Sequence, residues 1–150
     1  GIYTVEIDDT NKKDEEWYNN TNITYAFSGG KVKGTYGSAT AKAMDDKTVD
    51  GVVVKGLKTI KKELVDNQCA QLLAPSDWRV VKATETGDAM DSGWKTWRAS
   101  VRTKCNSMQT QINNAANVDA LATLYIYVNT ASEGDPVVLE RPLGEFPVKA

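Results

Sequence analysis

Residues 64–105 read LVDNQCAQLLAPSDWRVVKATETGDAMDSGWKTWRASVRTKC, and the architecture turns on them. Leu57, Ile60, Leu64, Val65, Cys69, Leu72 and Leu73 recur at threes and fours, the period of one helix face. That helix should stop ahead of Pro75, because a proline pushes the preceding residue out of the α region. Ser76-Asp77 then has the chemistry to cap free N–H groups and restart a turn. Arg79 to Gly87 reads as a link. From Asp88 a second stripe opens, in which Trp94, Trp97, Val101, Cys105, Met108 and Ile112 fall at intervals of 3, 4, 4, 3 and 4. Asp88 and Asp91 suit the positive end of that helix dipole, and Lys95, Arg98, Arg102 and Lys104 lie along the rest. Asn113-Asn114 marks its end. The expectation is a helical hairpin with a core built on Leu72, Leu73, Trp78, Trp94, Trp97 and Val101. The aromatic set also admits a ligand-stacking reading, but its spacing on the stripe of Val101 and Cys105 favours packing.

Outward from the hairpin, the period changes. Tyr3, Val5 and Ile7 alternate with polar residues, as a half-buried strand does. Ile23, Tyr25 and Phe27 alternate again, then Ser28-Gly29-Gly30 supplies a turn before Lys31 to Tyr36, which predicts a β-hairpin. Val52-Val53-Val54 is a short β-branched run. On the C-terminal side, Asn117 is placed to cap a short helix bearing Leu121 and Leu124. Tyr125 to Val128 has strand composition. Residues 131–150 carry Gly134, Pro136, Pro142, Gly144 and Pro147, which predicts an extended tail. The fold class expected is therefore α+β: an antiparallel β-rich segment at 1–55, a helical hairpin domain at 56–130 and an extended tail at 131–150.

Composition narrows the function classes. The 150 residues are 41% hydrophobic and 25% charged, enough for a core without covalent staples. A net charge of −2 gives no electrostatic reason to expect a nucleic-acid partner. No run of apolar residues is long enough to span a bilayer, and the first residues lack the basic-then-apolar pattern of a signal peptide. Histidine is absent, which removes the commonest general base and metal ligand together. Cys69 and Cys105 have no CxxC spacing, and a hairpin turning near Trp78 places them at different levels, so both read as free, buried thiols suited to a reducing cytoplasm. Lys58, Lys61 and Lys62 read as a solvated face.

The remaining candidates for chemistry have plainer explanations. Asp8-Asp9 and Asp14-Glu15-Glu16 lack the frame of a calcium loop, and Lys12 and Lys13 sit between them. Ser28 to Gly34 lacks phosphate-loop spacing and no helix follows it. No carboxylate pair for glycan hydrolysis can be nominated. The expectation is a protein with no catalytic residues, no metal and no cofactor.

The pattern Leu72-Leu73, Ser76-Asp77-Trp78, then Trp94-Lys95-Thr96-Trp97-Arg98 with Val101-Arg102 resembles the phage tail assembly chaperone-like family. Asn117 to Leu121 and Phe146-Pro147-Val148 look similar to the short helix and Pro-bearing tail of that family. The resemblance covers about residues 60–150. The Trp/Trp form of the second helix departs from the pattern, and the β-rich front lies outside it. The resemblance implies a non-enzymatic bacteriophage tail-associated protein, either a minor structural component of the virion or a tail or fibre assembly factor. Its partners would be other phage tail or virion proteins, with homo-oligomers inside an assembly, no nucleic acid and no membrane. It would be found in the virion, or in the host cytoplasm during assembly. The aromatics Trp17, Tyr18, Tyr25 and Tyr36 motivate a second expectation, a carbohydrate- or host-surface-binding module of a phage fibre.

Overall fold

The computed structural model describes residues 2–149. The fold is α+β, a β-rich region followed by helices. The chain forms two compact units, Gly1–Met44 and Asp45–Ala150, so the units part at residue 44 and not at 55.

The first unit holds β1 (Val5–Asp8), β2 (Tyr18–Asn19), β3 (Ile23–Ser28), β4 (Lys31–Tyr36) and β5 (Thr40–Ala41). The expected hairpin is β3–β4, and its turn places Gly29 at φ 61° and Gly30 at φ 76°. Two consecutive positive φ values match the twist of a tight hairpin and suit glycine. The order is β1-β4-β3, and β1 runs parallel to β4, which an all-antiparallel expectation did not include. The connector from β1 makes that possible. It is folded by its own side chains: Asp8 accepts from the Thr10 N–H, Asp14 accepts from the Glu16 N–H, and Asn20 exchanges hydrogen bonds with the Lys13 backbone.

Register sorts this sheet into two unlike faces. Val32 stands opposite Val5 and Phe27, Gly34 opposite Ile7 and Tyr25, and Tyr36 opposite Ile23. Residues in direct register share a face, so all of these apolar side chains lie on one side. Thr24, Thr35, Glu6, Lys31 and Lys33 occupy the other, where Lys31 pairs with Glu6. Gly34 is buried because neighbours cover its missing side chain. A Cβ there would meet Ile7 Cδ1 and Tyr25 Cε1 at 2.8 Å and Ile23 Cγ2 at 2.9 Å.

The second unit opens with β6 (Lys47–Val49) and β7 (Val52–Val54), a hairpin turning through Asp50 and Gly51, both at positive φ. Helix α1 (Leu57–Leu73) follows, then a 3₁₀ turn at Ala74–Ser76 that takes Pro75 in its first positions. α1 ends ahead of Pro75 as expected, but not for the expected reason: Ala74 stays in the α region at φ −51°, ψ −45°, and the chain runs on through the 3₁₀ turn into the next helix. Residues 79–87, expected as a link, are helical: α2 spans Asp77–Thr86 and ends at Gly87, φ 72°. No breaker lies between Asp77 and Gly87, and left-handed Gly87 is a favoured helix stop. α2 buries none of its residues, so it shows no apolar stripe to read. Helix α3 (Ser92–Asn114) begins after Asp91, whose carboxylate accepts from the Trp94 N–H at 3.1 Å, and not at Asp88. Helix α4 (Val118–Thr123) is capped by Asn117, which accepts from the Ala120 N–H at 2.8 Å, as expected. A two-stranded ribbon, β8 (Val128–Asn129) with β9 (Leu139–Glu140), completes the unit.

The core of the second unit is the seam between α1 and α3. From α3, Arg98, Val101, Cys105, Met108 and Ile112 face inward at alternating threes and fours, and from α1 Leu57, Lys61, Val65 and Cys69 do so at fours. Leu121 of α4 and Leu143 beyond β9 close the seam. Full burial of each such aliphatic side chain stabilises the fold by roughly 1.5–3 kcal/mol.

Four expectations are corrected here. Of the six core residues expected, Val101 is fully buried, Leu72, Leu73, Trp94 and Trp97 are half-buried, and Trp78 is 55% exposed. Trp78 sits at the start of α2, which has no buried side, so it does not join the seam. Lys61 is buried, its ammonium 4.9 Å from the centroid of the Tyr125 ring, and so is not on a solvated face. Residues 131–149 are not a free extended tail: Leu143 is buried, its N–H donates to Leu124 O at 3.0 Å, and its carbonyl accepts from Lys104 Nζ at 2.9 Å. Cys69 and Cys105 do not lie at different levels: Arg98 stands level with Leu73 and Cys105 with Asp66, so α3 runs past the end of α1 by nearly two turns before the seam begins.

Candidate functional site

The residues of the Ser-Asp-Trp triplet and of the Trp-x-x-Trp-Arg cluster converge at one end of the α1–α3 pair. Ser76 ends the 3₁₀ turn and is fully buried. Its hydroxyl donates to Leu73 O at 2.8 Å, closing the end of α1, and does not cap α2 as expected. Arg98, nearly two turns into α3, is 6% exposed. Its Nη1 donates to Leu73 O at 2.8 Å and to Ser76 Oγ, and its Nη2 donates to Asp77 Oδ1 at 2.6 Å. A guanidinium alone presents enough donors in a fixed fork to bind a helix-end carbonyl, a hydroxyl and a carboxylate together. Arg98 thus joins the two halves of the sequence pattern. Its place along a charged series gave no sign of burial. The 3-4 spacing from Arg98 to Val101 and Cys105 was the signal that could have revealed it.

The tryptophans lie around this lock and not inside it. The Arg79 guanidinium stands 4.6 Å from the Trp78 ring centroid and 4.5 Å from that of Trp94. Lys149 approaches Trp94 at 5.2 Å, and Trp94 meets Trp97 edge-on at 5.6 Å and 90°. Trp97 Nε1 donates to Pro147 O at 3.0 Å, which pins the C-terminal segment to α3. Cations over indole faces gain roughly 0.5–2 kcal/mol each, depending on desolvation. This column is a clamp between α2, α3 and the segment at Pro147 and Lys149, with Trp78 55% exposed.

Two depressions flank the column. A cavity of about 120 Å³ is lined by Trp78, Arg79, Met90, Asp88 and Asp91. A groove of about 460 Å³ runs between α2 and α3, with Val80, Ala83 and Met90 on its walls and Lys95, Arg98 and Arg102 along one side. Asp91 is engaged in capping α3 and Arg98 in the lock, so these side chains serve the fold. Among the described residues no group of three or more His, Cys, Asp or Glu is placed to hold a metal ion, and no helix is long and apolar enough to cross a membrane.

In the first unit, the four aromatics considered for glycan binding do not form one surface. Trp17 is buried, Tyr18 is half-buried beneath Lys13 at 4.2 Å, and Tyr36 is half-buried near Lys12 at 5.6 Å. Tyr25 is 61% exposed and shares its face with Tyr36, Phe27, Val5 and Ile7. The Tyr3 ring joins that face against Phe27, edge-on at 4.9 Å. Sequence reading missed this face as a unit, because it exists only once β1 is set in register beside β4. Comparison with protein-family models, with curated protein sequences and with solved structures finds no match to this chain.

Proposed function

We propose that this chain is a non-enzymatic bacteriophage tail-associated protein, a minor structural component of the virion or a tail or fibre assembly factor, working through protein–protein contacts. The observation that supports this reading most is the sheet face of Tyr3, Val5, Ile7, Tyr25 and Phe27, whose side chains stand 45–61% exposed and carry no charge. A contiguous apolar patch of that kind marks a surface that another macromolecule covers. The convergence of Ser76, Asp77 and Arg98 supports it further, because it gives the residues of the phage-family pattern a common structural task. In this reading the second unit is a rigid scaffold and the first unit presents the contact.

The test is the composition of purified phage particles and of complexes isolated during assembly. A structural component is present in the particle at a fixed ratio to a tail protein. An assembly factor is absent from the particle but co-purifies with a tail or fibre protein. A chain found in neither sinks the proposal. A second reading, a carbohydrate- or host-surface-binding module, draws support from the exposed Tyr25 ring, since sugars stack on aromatic faces. It requires hits on a glycan array that Tyr25→Ala abolishes.

A further inference from the structure

We propose that Cys69 and Cys105 are an oxidative modification site, joined by a disulfide that staples α1 to α3. Both are buried and free. The helices run antiparallel, with Arg98 level with Leu73 at one end and Gln109 and Cys105 level with Asp66 further along. Cys69 lies on α1 between those two levels and on its buried stripe, and Cys105 lies on the inward stripe of α3. Cys105 Sγ reaches Asp66 Oδ1 at 3.6 Å, and Cys69 follows Asp66 by three residues, close to one turn of α1, which brings the two thiols near each other. The chain has no other cysteine, so no competing pairing exists within it.

The chemistry is exchange with a small disulfide such as oxidised glutathione. One cysteine thiolate attacks a glutathione sulfur, the glutathione S–S bond breaks, one glutathione thiolate leaves and a mixed disulfide forms. The second protein thiolate attacks the protein sulfur of that mixed disulfide and expels the other glutathione. Each protein thiol gives up its proton, the protein loses two hydrogens, and one glutathione disulfide is reduced to two thiols. Burial, Cys69 and Asp66 push the Cys105 thiol up to about 12, so its thiolate is scarce at neutral pH. Buried thiols also react only through local opening. The bond therefore forms slowly in the folded protein and readily while the chain folds in an oxidising medium. Held across facing helices, it would stabilise the second unit by removing loop entropy from the unfolded chain.

The experiment refolds the full chain from denaturant in a mixture of oxidised and reduced glutathione, and in parallel with a strong dithiol reductant. The oxidised product should be monomeric on a non-reducing gel, two hydrogens lighter by intact mass, and without thiols reactive to a chromogenic reagent in denaturant. Its Tm should exceed that of the reduced protein by roughly 10 °C. Cys69→Ala, refolded in either medium, should melt at one temperature. Two free thiols per chain after oxidising refolding would overturn the proposal, and so would a bond that lowers Tm or one that links two chains. If Cys69→Ala does not fold, the oxidised and reduced forms of the native sequence still decide between these outcomes.

Discussion

In the sheet of β1, β3 and β4 the apolar face ends at solvent, whereas in the α1–α3 pair it ends at another apolar face. The sheet segregates its residues as strictly as the helices do: Val5, Ile7, Tyr25, Phe27 and Val32 on one side, Glu6, Lys31 and Lys33 on the other. Val101, Met108, Ile112 and Leu121 are all but inaccessible, while Val5, Tyr25 and Phe27 are more than half exposed. Segregation by period is a local property of sequence. Burial is a property of what meets the segregated face, and the difference between the two regions is the presence of a complementary layer.

The sharpest way to break this comparison is to truncate one side chain in each region. Ile112→Ala should cost about 4 kcal/mol, the sum of lost transfer energy and an unfilled cavity. Phe27→Ala should cost less than about 1 kcal/mol in the isolated protein, because little of its ring leaves water on folding. Urea unfolding of both variants measures the contrast. Equal losses would mean that the sheet face is covered after all. The next effect in size tests the lock. Arg98→Ala should cost about 3 kcal/mol, because it takes from the buried Ser76 hydroxyl its donor, from Leu73 O one of its two side-chain donors and from Asp77 its cation. Arg98→Lys should recover little, since one ammonium cannot reach Leu73 O, Ser76 Oγ and Asp77 Oδ1 together.

Legibility in the sequence followed the same divide. The α1 and α3 stripes, the Asn117 cap and the β3–β4 turn were readable because each is set by period or by a backbone preference within a few residues. The parallel placement of β1, the burial of Lys61 and Arg98 and the meeting of the cysteines depend on partners far along the chain. The tryptophans show the limit most clearly. Burial of Trp94 was inferred from its place on the stripe, yet the stripe leaves the seam there and the indole packs against Arg79, Trp97 and Lys149. A half-buried Trp94 lowers the cost of Trp94→Ala from the 3–5 kcal/mol of a core tryptophan to about 2 kcal/mol. Trp78→Ala should fall below about 1 kcal/mol, and thermal melting of the pair ranks them.

The helical seam also carries an alkaline pH signature. Burial raises the Cys105 thiol from the ordinary 9.0 to about 12. The folded chain therefore holds this proton more tightly than the unfolded one. The contribution is fully present below about pH 9 and is lost as pH rises toward about 12. Under reducing conditions the urea midpoint of the native sequence should fall through that window more steeply than the midpoint of Cys105→Ala. Parallel curves would mean that the thiol is not held protonated by its surroundings.

The smallest effect concerns a cap supplied from outside its helix. Gly56 at the start of α1 has no side chain to close the first turn, and no acidic residue lies in that turn. Asp46, ahead of β6, takes the role: it accepts from the Gly56 N–H at 2.7 Å, and Thr59 also donates to it. Those bonds hold its carboxyl below the usual 3.8, so its contribution is present above that value and lost as pH falls through the lowered one. Asp46→Ala should lower Tm slightly at neutral pH and make the acid limb of the Tm–pH curve shallower. Glu6→Ala, which removes a lowered carboxyl paired with Lys31 in the other region, should flatten acid unfolding of the sheet instead. Followed by amide exchange, the two substitutions should act on separate sets of residues, 57–73 for the first and the β1–β4–β3 sheet for the second. A shared response would mean that the two regions unfold as one.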